Sequence, residues 1–333
     1  MYRLTKVWHP ENYQDGRKAL GYFEGWYFKA VDAAGDGLAV IPGVAMPKGG
    51  RPFAFVQLNR SGGRSAWFEL PYEEFSYSRD RLDLKVGRCR FSERGLVLDL
   101  SGEAGTVRGQ LEFGELSPWP VTLLSPGIMG PYRFAPFMEC SHGVVSMDHS
   151  VSGALEIDGE KRSFDLGRGY IEKDWGRSFP KAWIWTQCNR FERTGVGLTA
   201  SVARIPWLGS SFVGFIAGLL VDGTLHRFTT YTGAKLVSIH HTEGGGEFVL
   251  QDRHRRIEIA TRGAVPGKLR SPVLGEMKGT VHESLCGEVD VRLTGRASGA
   301  MVFEGTGRSA GLELMDPTGD LLGGKPERQP RLP

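Results

Sequence analysis

The chain has 333 residues, 40% hydrophobic and 24% charged, which is apolar enough to bury a core and too weakly charged for wholesale disorder. A net charge of +3 leaves no basic footprint for a nucleic-acid partner. Forty-seven glycines, scattered singly, argue against long helices and for many tight turns between short strands.

Period-2 alternation begins at Tyr22–Lys29, an aromatic-rich stretch that predicts a strand. One face carries Tyr22, Glu24, Trp26 and Phe28, the other Phe23, Gly25, Tyr27 and Lys29. The first face is almost wholly aromatic and is expected to point inward. Glu24 then sits in an apolar wall, where desolvation favours its neutral form. Pairing to an interior Arg is the structural alternative. Strands follow at 53–58, 81–86 and 95–100, the first ended by the turn cluster Asn59-Arg60-Ser61-Gly62-Gly63.

The stretch from Leu116 to Pro136 breaks this rhythm. Its five prolines preclude a central strand, yet it is too apolar for a solvated linker. It is expected to cross between two lobes, residues 1–135 and 136–333. Titratable groups then crowd 138–150, among them Glu139, His142, Asp148 and His149. A regular strand there places His142, Val144, Ser146 and Asp148 on one face and His149 on the other, unless a bulge intervenes.

In Gly169–Ser178, Tyr170, Glu172 and Asp174 alternate onto one face, with Lys173 and Trp175 on the other. Two carboxylates two residues apart repel when both ionise, so in a dry site one keeps a proton, giving an acid beside a base. Arg177, past Gly176, is expected to return and offset their charge. In Ala182–Asn189, Trp183, Trp185, Gln187 and Asn189 share a face that offers indoles and amides to a ligand. Further strands are expected at 151–157, 196–204, 212–221, 225–231, 247–251, 256–260, 287–293 and 300–304, and a frayed tail from about 317. This spacing is the rhythm of antiparallel barrels and sandwiches, an all-β fold with few short helices.

Several chemistries are excluded by missing motifs. There is no GxSxG elbow, P-loop, HExxH, or GxGxxG opening a βαβ unit. Cys89, Cys140, Cys188 and Cys286 form no CxxC, and His240, His241 and His254 lack supporting ligands, so no disulfide framework and no metal are expected. Arg253-His254-Arg255-Arg256 reads as a solvated strand end. The longest apolar run, 212–221, is too short to span a bilayer, which needs about 20 residues. A cytoplasmic protein is expected, whose membrane contact would be peripheral and whose partner is an apolar small molecule.

Long blocks of this sequence resemble the tocopherol cyclase family. They are Gly21–Lys29, Trp119-Pro120, Ser125–Tyr132, Met138-Glu139-Cys140, His142–Met147, and Gly169–Pro180, together with the tryptophan-rich strand ending in Gln187-Cys188-Asn189. The family also looks distantly similar to carotenoid hydratases and lipocalin-like cyclases. The resemblance implies two lipocalin-like β-barrels joined side by side. It implies closure of a prenylated hydroquinone to a chromanol, without redox change or cofactor. Glu172 or Asp174 is then the expected proton donor, with Glu24 as rival or partner. Trp26, Trp175 or Trp185 would stabilise the carbocation through cation–π attraction worth ~0.5–2 kcal/mol. Tyr170, Asn189 or His142 would hold the ring hydroxyl. Tyr22, Arg177, Trp183, Glu139 and Asp148 complete the expected binding set. A hydratase acting on an isoprenoid, and a carrier that only binds lipid or quinone, are the competing expectations.

Overall fold

A computed structural model describes residues 6–15, 21–136, 138–207, 209–242, 244–263, 265–316, 319 and 321. Most of the tail read as frayed and the His241 side chain lie outside the described residues.

The described residues form two antiparallel sheets and no α-helix. The first sheet contains β1 (Tyr22–Val31), β2 (Gly37–Met46), β3 (Phe53–Arg60), β4 (Arg64–Pro71), β5 (Phe75–Tyr77), β6 (Asp83–Val86), β7 (Cys89–Ser92), β8 (Gly95–Gly102), β9 (Gly105–Phe113), β10 (Cys140–Ile157), β11 (Glu160–Ser163) and β12 (Gly167–Gly176). The second contains β13 (Ala182–Cys188), β14 (Val196–Trp207), β15 (Ser210–Val221), β16 (Thr224–Thr229), β17 (Lys235–Thr242), β18 (Gly245–Gln251), β19 (Arg255–Arg262), β20 (Gly267–Val273), β21 (Glu276–Gly295) and β22 (Met301–Met315). No helix among the described residues is long and apolar enough to cross a membrane.

Sequence order dictates most pairings, because consecutive strands are joined by tight turns. Gly62 and Gly63 adopt positive φ in the β3–β4 turn, in the cluster that the sequence marked. The longest-range exception in the first sheet is β1, which pairs with β12 as well as β2. That step seats two distant segments side by side at the centre of the sheet.

Each sheet curls around a core of its own. In the first, Val56 and Phe68 from one end join Leu84, Val86 and Phe91 from the other in a single cluster. In the second, Ala200, Phe215 and Phe228 meet Phe248, Ile257 and Val291. The all-β, lipocalin-like expectation holds. All four cysteines are free.

The division of the chain differs from the sequence expectation. The first compact unit takes the chain up to Ala135, then Glu139–Phe179 and Gly267–Val281. The second takes Pro180–Pro266, the chain from His282 onward, and the short piece Pro136–Met138. The proline-rich stretch is therefore no crossover at residue 135. Trp119 and Ile128 are buried, and the segment hydrogen-bonds back to β10 through Ser117 and Met147. Apart from Pro136–Met138, the chain stays in the first unit as far as Phe179.

Candidate active site

β12 lies between β1 and β10, and alternation gives it two chemically different faces. Ile171 and Trp175 belong to the core of the first unit, and Lys173 points the same way. Tyr170, Glu172 and Asp174 occupy the opposite face.

The outward residues are linked by two hydrogen bonds and one close charge contact. The Tyr170 hydroxyl donates to Glu172 Oε2 at 2.5 Å. His142 on β10 is the register partner of Asp174, and its Nδ1 lies 2.9 Å from Asp174 Oδ1. Its Nε2 is 3.5 Å from Glu172 Oε2. One imidazole thus stands between the two carboxylates and separates charges that would otherwise repel. Asp174 fixes the ring through Nδ1, and Nε2 faces Glu172. Tyr170 is fully buried and Glu172 only 5% exposed, which strengthens these interactions by excluding water. Tyr27 is the register partner of Glu172, and its ring meets that of Tyr170 edge-on at 6.5 Å. Ligand atoms of His142, Glu172 and Asp174 also lie within 4.8 Å of one another, a spacing that a divalent ion could bridge.

Tyr170, Glu172, Asp174 and His142, expected as site residues, are therefore brought together. Lys29 was missed. It is buried, and it is the register partner of Tyr170 on β1. Alternation had assigned it to this face, but nothing in the sequence showed that this face is buried too.

Glu24 is corrected. It lies inside the first unit, on the side of the sheet away from Glu172. Its carboxylate accepts from Lys173 Nζ at 2.6 Å, the Tyr22 hydroxyl at 2.5 Å and the Gln14 backbone N–H at 2.7 Å. Lys173 also donates to the carbonyls of Pro10 and Asn12. Burial pushes the Lys173 pKa down to about 8, against the opposing pull of Glu24. The pairing follows the structural alternative, with a lysine in place of the arginine. Trp26 and Trp175 are corrected with it. Their rings face Lys173 at 4.6 and 4.7 Å, and Trp175 also stacks under Arg133. They stabilise an ammonium that belongs to the protein, and Tyr22 serves the same cluster. Trp26 Nε1 donates to the Glu11 carbonyl, which ties Glu11 to the core of this unit.

Other expectations scatter. Asp148 is buried in a two-pronged ion pair with Arg168 and serves the fold. Arg177 is exposed and makes no ion pair among the described residues, so His142 plays the bridging role expected of it. Glu139 is exposed, and its carbonyl accepts the N–H of Arg177. Bulges on either side of Ser146 turn it toward His149, whose Nδ1 lies 2.9 Å from Ser146 Oγ. Trp183, Trp185 and Asn189 are buried in the second unit, where Trp183 Nε1 donates to Glu313 Oε2 at 2.6 Å. Glu313 and its fully buried register partner Glu283 were not anticipated, since each is one polar position in a long alternating strand.

Burial pushes the His149 pKa down to about 3, so the folded protein holds this ring neutral. Below the ordinary histidine value the unfolded chain binds a proton that the folded one refuses. Stability from this group is full above about pH 6.5 and drains away as pH falls toward 3. Urea midpoints of the wild type should fall through that window. Those of His149→Phe should fall less, and equal slopes would remove His149 as the cause.

A family model described as tocopherol cyclase-like matches residues 119–315, more than half of the chain and all four residues of this set. The chain belongs to the tocopherol cyclase-like family. It is 32% identical over 148 residues to the chloroplastic protein of Oryza sativa subsp. japonica named "Probable tocopherol cyclase", covering 42% of this chain and 30% of that one. It is 36% identical over 103 residues to the chloroplastic tocopherol cyclase of Zea mays, covering 29% and 22%. The matches thus span less than a third of either plant protein. Among solved structures, an AttH-type protein of Nitrosomonas europaea aligns with a TM-score of 0.55 at 15% identity, covering 90% of this chain and 94% of that one. Kievitone hydratase of Nectria haematococca aligns at 0.51 and 11%, covering 91% and 92%. At such identities these two show a shared fold and nothing finer.

Proposed function

We propose that this tocopherol cyclase-like protein closes a prenylated benzoquinol to a chromanol by internal proton transfer, without a cofactor. The observation that carries the reading is the Tyr170–Glu172–His142–Asp174 set, buried at Tyr170 and Glu172 and inside the span matched to the family.

Glu172 is the acid. Its Oε2 accepts the Tyr170 hydroxyl, so the transferable proton belongs to Oε1. That proton adds to the prenyl double bond nearest the ring and leaves a tertiary carbocation. The ring of Tyr27, register partner of Glu172, stabilises the cation, and the burial of Tyr170 and Glu172 limits access of water. The ring hydroxyl attacks, forming the C–O bond. Its proton passes to His142 Nε2 and from there to Glu172, which restores the acid. Nothing is oxidised, and the product has the mass of the substrate. Holding hydroxyl and cation together makes the closure unimolecular, and orientation of this kind is worth up to about 7–11 kcal/mol of barrier.

The test is anaerobic incubation of the purified protein with 2-methyl-6-phytyl-1,4-benzoquinol, read by chromatography and mass spectrometry. A chromanol of unchanged mass is expected, gaining one deuterium on carbon when the reaction runs in D2O. A product heavier by one water would replace the cyclase with a hydratase. Unreacted quinol that nevertheless quenches tryptophan fluorescence would replace it with a carrier.

A further inference from the structure

We propose that the turn at Val121–Pro126 is a bilayer-inserting tip. Leu123 and Leu124 are 73% and 77% exposed, adjacent in sequence, and flanked by Val121 at 43%. Exposed single leucines are ordinary, whereas a contiguous exposed apolar cluster marks an interaction site.

The tip is built rather than loose. Val121 and Pro126 form a bridge, and Thr122 and Ser125 exchange backbone hydrogen bonds across the turn. Trp8 Nε1 donates to the Leu123 carbonyl, and the Trp8 ring packs edge-on against the half-exposed Phe134 at 6.1 Å. Behind it, Trp119 and Ile128 are buried and fix the segment to the first unit. The leucines are thus held in water at the end of a tied turn, with indole and phenyl rings at its base.

Size and charge identify the occupant. A stable protein interface takes about 800 Å² from each partner, well beyond what four partly exposed side chains supply. Insertion to the boundary of headgroups and acyl chains, about 5–10 Å deep, needs only such a small apolar feature with aromatic residues behind it. No Asp, Glu, Lys, Arg or His occurs between Glu115 and Arg133, so no formal charge in the segment opposes entry into lipid. Insertion of this kind does not depend on the chemistry of the active site, and its test uses no substrate.

The experiment is flotation of the full-length protein with phosphatidylcholine vesicles and with 3:1 phosphatidylcholine–phosphatidylglycerol vesicles, at low salt and at about 0.5 M NaCl, where surface charges are screened. The wild type should float with both and keep floating at high salt. Leu123→Asp/Leu124→Asp should lower the vesicle-bound fraction about tenfold or more, since it removes the inserting surface. Leu166→Asp, at another exposed leucine, should float like the wild type. Near-ultraviolet circular dichroism checks the fold, and Leu123→Ser/Leu124→Ser replaces the aspartate pair should that pair misfold. A wild type that stays at the bottom, a double variant that floats normally, or binding confined to anionic vesicles at low salt would each overturn the proposal.

Discussion

Glu172→Gln should lower kcat/KM for chromanol formation about 10²–10⁴-fold, the range that general acid catalysis contributes. Glutamine keeps a carbonyl oxygen to accept the Tyr170 hydroxyl and fills the same volume, so the fold and the packing around Tyr27 should persist. It has no proton of carboxylic acidity to give. The loss should therefore appear in kcat, with KM and the thermal midpoint nearly unchanged. A residual activity within threefold of wild type would assign the acid elsewhere. A matching fall in the thermal midpoint would mean that Glu172 serves the fold.

Lys173→Met should cost about 3–5 kcal/mol of stability, because it leaves a buried carboxylate without its cation. Both partners are fully buried, so solvent cannot take over for the missing ammonium. The same substitution removes the donor to the carbonyls of Pro10 and Asn12 and the cation that faces the Trp26 and Trp175 rings. Residues 9–14 should then become accessible to protease well before the sheet unfolds. Glu24→Gln/Lys173→Met should recover much of the loss, since a neutral amide costs less to bury than an unpaired charge. Urea midpoints and limited proteolysis read both effects. A single variant as stable as the wild type would show that the pair adds nothing to the fold.

These two expectations concern neighbouring residues on one strand, and the sequence separated them only halfway. Alternation assigned Glu172 and Lys173 to opposite faces, because period 2 is a local property of any strand. It could not say which face meets solvent, because β1 and β12 are buried on both. The aromatic side of β1 read as a reaction chamber for that reason, although its glutamate answers to a lysine far along the chain. His142 was legible as a titratable residue and illegible as a bridge, since its place opposite Asp174 depends on strand pairing. The bulges that turn Ser146 away from that face carry no reliable sequence mark. Glycine turns and alternating strands made the all-β class legible. The proline-rich stretch misled because a segment that folds back and one that crosses over share a composition.

The first unit draws its last piece, Gly267–Val281, from beyond most of the second. That piece is stitched in by specific bonds: Gln57 exchanges hydrogen bonds with the Arg270 backbone, Ser65 Oγ donates to the Lys268 carbonyl, and Arg270 lies over the Trp67 ring. On the ribosome, β1 to β12 emerge first and must wait for roughly ninety more residues before this last piece arrives, about 5–20 s at ordinary elongation rates. During that interval the backs of β3 and β4 stand uncovered in the cell, and a nascent chain of this protein is at its most vulnerable to aggregation while it is still being made.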